Sequence, residues 1–104
     1  MGLTLKDANL HVSSEVVVAY FPDCENVGFL LDDGTLWAYP LARGSAGGSL
    51  LKRKNLHGDR VVLIADVVRA GDVVDGELEY AWDETRCALG IVLNVPAGED
   101  SQDE

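Results

Sequence analysis

The amino-acid sequence predicts a mostly β fold: a small antiparallel sandwich or partly open barrel of about six strands, with at most one short helix near 49–56. Three observations carry that expectation. The apolar residues, 47% of the chain, are rich in β-branched Val, which suits a pleated, half-buried surface. The apolar runs are short and end at Gly, Pro or Asp, which is strand punctuation. Asp33-Gly34 sits between two apolar runs, and Asp-Gly is a strong hairpin signal because both central residues of a type I′ turn need positive φ.

In chain order, Glu15 to Phe21 (EVVVAYF) reads as the first strand, stopped by Pro22. VGFLLD and TLWAYP form the hairpin about Asp33-Gly34. With a two-residue loop, Leu31 faces Leu36, Phe29 faces Ala38 and Val27 faces Pro40, an apolar face expected in the core. The other face pairs Leu30 with Trp37 and Gly28 with Tyr39, an aromatic laid over a neighbouring glycine. Residues 42–49 (ARGSAGGS) are a Gly-rich connection. Ser49 stands at the N-cap position of LLKRKNL, the one short helix expected, closed by Gly58.

RVVLIADVVRA, Arg60 to Ala70, is Val-rich and flanked by glycines, so it reads as a strand. Its two faces are both apolar: Val61, Leu63, Ala65 and Val67 on one, Val62, Ile64 and Val68 on the other. A second covered face implies a loop, another sheet or a second copy of the chain. ELEYAW alternates, and a four-residue DETR turn leads into CALGIVLNV. That register sets Leu78, Tyr80 and Trp82 against Ile91, Leu89 and Cys87 as a second core face. Glu77 and Glu79 then project to solvent with Ala88, Gly90 and Val92. A single β domain is expected over 1–95. PAGEDSQDE, from Pro96, is acidic and nearly free of apolar residues, so 96–104 is expected to be a disordered tail.

Eighteen acids stand against eight Lys and Arg, a net charge of -10. Such a surface repels nucleic-acid phosphates and anionic lipid and attracts basic partners. No basic n-region precedes an apolar run at the N-terminus, and no run is long enough for a membrane helix, so a cytoplasmic location is expected. Cys24 and Cys87 are then expected to be reduced.

No motif carries chemistry. His11, Cys24, His57 and Cys87 are metal-ligand types without metal-site spacing. Cys24 lies between Asp23 and Glu25, which disfavour a thiolate. The acid pairs Asp32-Asp33, Asp83-Glu84 and Glu77/Glu79 fall on turns or an exposed strand face, where solvated charge is the ordinary reading. GSAGG lacks the lysine of a phosphate loop. Lys52, Arg53 and Lys54 are a small basic cluster in an acidic chain.

The expectation is therefore a non-enzymatic acidic binding module with no cofactor and no metal. It would dock on a basic protein to inhibit or regulate it, in the manner of inhibitors, immunity proteins and phage anti-defence proteins, with which it shares physical character but no motif. The candidate partner-binding residues are Leu30, Trp37, Tyr39, Glu77 and Glu79. A homo-oligomeric structural or accessory protein, closing as a homodimer, is the alternative.

Overall fold

A computed structural model describes residues 2–22, 24–41 and 47–95. The strands are β1 (Leu3–Lys6), β2 (Asn9–Val12), β3 (Asn26–Asp32), β4 (Thr35–Pro40), β5 (Ser49–Leu50), β6 (Lys52–Arg53), β7 (Arg60–Leu63), β8 (Gly76–Glu77), β9 (Glu79–Asp83) and β10 (Ala88–Val92). One α-helix, α1 (Ser14–Tyr20), and a 3-10 turn at Ala70–Asp72 complete the described elements. The fold is mostly β, as expected, and every strand pairing is antiparallel.

Two five-stranded sheets form, ordered β6-β7-β2-β1-β8 and β5-β3-β4-β10-β9. Each edge strand of one sheet runs directly into an edge strand of the other. β5 turns into β6 at Leu51, and β8 turns into β9 at Leu78. Both corner leucines are buried. Their N–H groups cross the corner, Leu51 N–H to the Glu25 carbonyl at 2.8 Å and Leu78 N–H to the Leu3 carbonyl at 3.0 Å. The two sheets are thus joined at two corners, where a strand leaves one sheet and enters the other.

The N-terminal hairpin β1–β2 was not among the expected strands. Leu3, Leu5, Leu10 and Val12 alternate inward about an Asp7-Ala8 turn in which both residues have positive φ, 52° and 66°. Ala in that conformation is unfavourable, so the turn carries no Asp-Gly signal.

The stretch EVVVAYF is helical, not a strand. Ser13 Oγ accepts from the Val16 N–H at 3.3 Å as N-cap, and Asp59 Oδ1 accepts from the Ser14 N–H at 2.7 Å. The consecutive residues Val16 and Val17 are both buried. One face of a strand cannot bury both, since successive side chains point to opposite faces. Cap and packing override the β propensity of three valines.

No helix forms at 49–56. Leu50, Lys52 and Arg53 pair as short strands, and Leu51 alone enters the core. In the Gly-rich connection 42–49, Gly47 and Gly48 both have positive φ; residues 42–46 lie outside the described residues. The expected long strand at Arg60 ends at Leu63, where the Val67 and Val68 N–H groups both turn back onto the Ile64 carbonyl. Val62, Ile64 and Val68 are buried, whereas Leu63 is exposed. The two-sided apolar pattern therefore belongs to a short strand and a turn. The acidic tail 96–104 lies outside the described residues.

The β3–β4 hairpin has the expected register residue for residue, Leu31 with Leu36 through Val27 with Pro40, and Asp33 and Gly34 have φ of 54° and 81°. In β9–β10 the register slides by two residues, pairing Tyr80 with Ile91 and Trp82 with Leu89. The reason is a turn one residue later than expected. Asp83 Oδ1 accepts from the Thr85 and Arg86 N–H groups at 2.9 and 3.1 Å, which leaves Cys87 at φ 54° in the turn. A two-residue slide preserves the faces, so Leu78, Leu89 and Ile91 are buried as expected. Cys87, expected in the core, is exposed, while Ala88, expected at the surface, is buried. Tyr80 and Trp82 are only partly buried, packed against Tyr20 of α1. The Tyr20 and Trp82 rings stack at 5.4 Å, and Tyr20 meets Tyr80 edge-on at 6.4 Å.

Candidate functional site

The outer face of the β3-β4-β10-β9 surface is built in three rows by the strand registers. One row runs Gly28–Tyr39 on β3 and β4 and Ala88–Asp83 on β10 and β9. The middle row is Leu30–Trp37–Gly90–Ala81. The third is Asp32–Thr35–Val92–Glu79. Leu30 and Val92 are 49% and 52% exposed, and carboxylates flank them.

Trp37 is the centre of this face, and Gly90 is the reason it can lie flat. A Cβ built at Gly90 would come within 2.9 Å of the Trp37 ring, so the indole occupies the space a side chain would fill. The expectation of an aromatic over a glycine is met by a different pair: Trp37 covers Gly90. The atoms nearest Gly28 instead belong to Leu41. Above the indole lies Arg86, its guanidinium carbon 4.2 Å from the ring centre. The same guanidinium approaches the Asp32 carboxylate at 3.7 Å. Beside Trp37 an open groove of about 460 Å³ runs between Thr35, Ala81, Asp83, Glu84 and Val92.

Of the residues expected to bind a partner, Leu30, Trp37, Tyr39 and Glu79 share this face. Glu77 does not: it pairs with Thr4 on the other sheet, because the chain changes sheets at Leu78. Arg86 and Val92 belong to the face and were not among the expected residues. Val92 was legible from strand alternation. Arg86 was not, because its reach over Trp37 depends on where the turn falls.

A second polar cleft, of about 170 Å³, is lined by Thr4, His11, Ser13, Lys54 and Asp59. Asp59 is the keystone of the adjoining loop. Its Oδ1 accepts from the start of α1, and its Oδ2 accepts from Asn55 Nδ2 at 2.9 Å. These bonds, Asn55 first and the Ser14 N–H next, hold its carboxyl below the usual carboxylate range. His11 Nδ1 is out of contact with solvent and has no hydrogen-bond partner. Burial, then the charges of Lys54 and Lys6, hold its imidazole below the ordinary histidine value, so the ring is neutral at pH 7. With Asp59 Oδ1 holding the start of α1 and Oδ2 holding Asn55 of its own loop, this cluster is a structural clasp. Among the described residues no three His, Cys, Asp or Glu side chains converge on a metal position.

Among the described residues no helix is long and apolar enough to cross a membrane. Compared with known protein families, curated proteins and solved structures, the chain matches none.

Proposed function

We propose that this protein is an acidic binding module that docks on a basic protein through the outer face around Trp37 and so blocks or regulates that partner. The observation that supports the reading most is the composition of the face. An apolar centre of Leu30, Trp37 and Val92 sits among Asp32, Glu79, Asp83 and Glu84, on a chain of net charge -10. Apolar and aromatic anchors inside a charged rim are the anatomy of a protein-binding surface. The charge speeds encounter with a basic partner and disfavours pairing of two like-charged copies through this face.

The test is site-specific photo-crosslinking in the native host, with the crosslinking residue at Leu30 and, as control, at Leu63. Both positions are exposed apolar residues, and they lie on different sheets. The proposal expects capture at Leu30 and not at Leu63, of a partner whose crosslinked segment is rich in Lys and Arg. Equal capture at both positions counts against it, as does a crosslink from Leu30 to a second copy of the chain.

A further inference from the structure

Arg86 occupies the centre of the proposed docking face in an unusual way. Its guanidinium lies 4.2 Å above the Trp37 ring and 3.7 Å from the Asp32 carboxylate. An indole face with a carboxylate beside it is a receptor for a planar cation, and here the chain fills that receptor with its own side chain. The hold is weak. The Arg86 side chain is 39% exposed and that of Asp32 is 56% exposed. Among the described residues the Arg86 side chain makes no other ion pair or hydrogen bond. The Arg86 backbone, by contrast, is anchored by its N–H to Asp83 Oδ1. The side chain can therefore leave the indole with no change in the turn.

We propose that Arg86 is a resident stand-in for an arginine of the basic partner. On docking, the partner's guanidinium takes the place over Trp37, and Arg86 swings off. This rests on the docking face proposed above and names the side chain that it takes. Two features argue for arginine. The site already stacks a guanidinium rather than an ammonium, and the groove beside Trp37 is bordered by Asp83 and Glu84. Those carboxylates would receive the remaining donors of an incoming fork. The resident cation keeps the indole covered until a partner with both a guanidinium and apolar contacts for Leu30 and Val92 arrives. Affinity for lone cations is thereby lowered, and selectivity is raised.

The experiment titrates the full chain with a short oligo-arginine peptide and compares wild type, Arg86→Gln and Arg53→Gln. The last removes the same charge from β6 on the other sheet and so corrects for the change in net charge. The two indole N–H resonances, of Trp37 and Trp82, report the site. The expected result is that R86Q binds about 3- to 10-fold tighter than R53Q, the worth of one exposed cation–π contact and one exposed ion pair. The Trp37 resonance should shift in every case and more than that of Trp82. R86Q binding no tighter than R53Q overturns the proposal. So does peptide binding that leaves the Trp37 resonance in place, and so does an absence of binding to all three proteins. Capture through Leu30 alongside an unaltered R86Q affinity removes only the stand-in. Absence of capture at Leu30 removes the docking face itself.

Discussion

Gly90 shows how much of this surface rests on one absent methyl group. It lies between Trp37 and Ala81 in the middle row, and the indole covers its backbone. Replacing it with Ala puts a Cβ within 3.0 Å of two ring atoms, closer than packed carbons tolerate. The ring must lift, uncovering its own lower face and dislodging Arg86 above it. Gly90→Ala is expected to destabilise the fold by about 1–3 kcal/mol, as overpacking does, and to shift Trp37 emission to the red. Thermal unfolding with tryptophan fluorescence checks both. An unshifted spectrum with unchanged stability contradicts the stacked geometry. At this scale the sequence was only partly readable. Strand alternation pointed to Tyr39 over Gly28, whereas Trp37 covers Gly90 because β10 lies beside β4, a long-range pairing that no local pattern encodes.

At the scale of elements, α1 and the 55–59 loop explain why EVVVAYF is not a strand. The helix is seven residues long, too short to stand alone, and its start is held from outside by Asp59. That carboxyl is depressed in the folded state by its bonds to Asn55 and the Ser14 N–H. Its contribution is therefore fully present above the ordinary value of 3.8 and is lost as pH falls through the lower folded value. Asp59→Ala is expected to lower the Tm at neutral pH, with the gap to wild type closing in strong acid. A gap of constant size through that acid range contradicts the assignment.

His11 acts in a separate window. Its folded pKa lies below the ordinary 6.5, so the unfolded chain takes up the proton first. Stability then falls as pH drops below 6.5 toward the folded value. His11→Gln should flatten that part of the pH–stability curve, and a wild-type slope retained there counts against a partly buried, neutral imidazole. Neither window was visible beforehand. Ser14 followed by a β-branched run reads as a strand unless Asp59, the acceptor of its N–H forty-five residues away, is known. The β3–β4 hairpin was legible in full because Asp33-Gly34 specifies its own register. The β9–β10 turn was legible only to within a two-residue slide, since its position is set by the Asp83 side-chain bonds to the Thr85 and Arg86 N–H groups, which no turn dipeptide announces.

At the scale of the whole molecule, the joining of the two sheets depends on two residues that belong to neither sheet alone. Leu51 and Leu78 sit where one strand leaves one sheet and joins the other, and both are buried in the common core. Leu78→Ala removes packing at a corner that holds both sheets together, and an expected loss of about 2–5 kcal/mol follows from a buried Leu truncated to Ala. Denaturant unfolding followed separately by β-sheet circular dichroism and Trp fluorescence should give one coincident, shifted transition. Two separated transitions would show that the sheets unfold independently and that the corners do not couple them. The β class and the alternating core were readable in the sequence. The two corners were not, because strands of two residues such as β5, β6 and β8 carry too little pattern to be recognised locally.

The central claim is that negative charge steers a basic partner onto the Trp37 face. The most direct measurement is the association rate of the partner captured through Leu30, recorded from low to high salt by stopped flow, for wild type and for a chain carrying Asp32→Asn, Glu79→Gln, Asp83→Asn and Glu84→Gln. The wild-type rate should fall by roughly tenfold or more across that range, and the neutralised face should start slower and vary far less with salt. A wild-type rate indifferent to ionic strength, or a neutralised face that associates as fast as wild type, would contradict the claim.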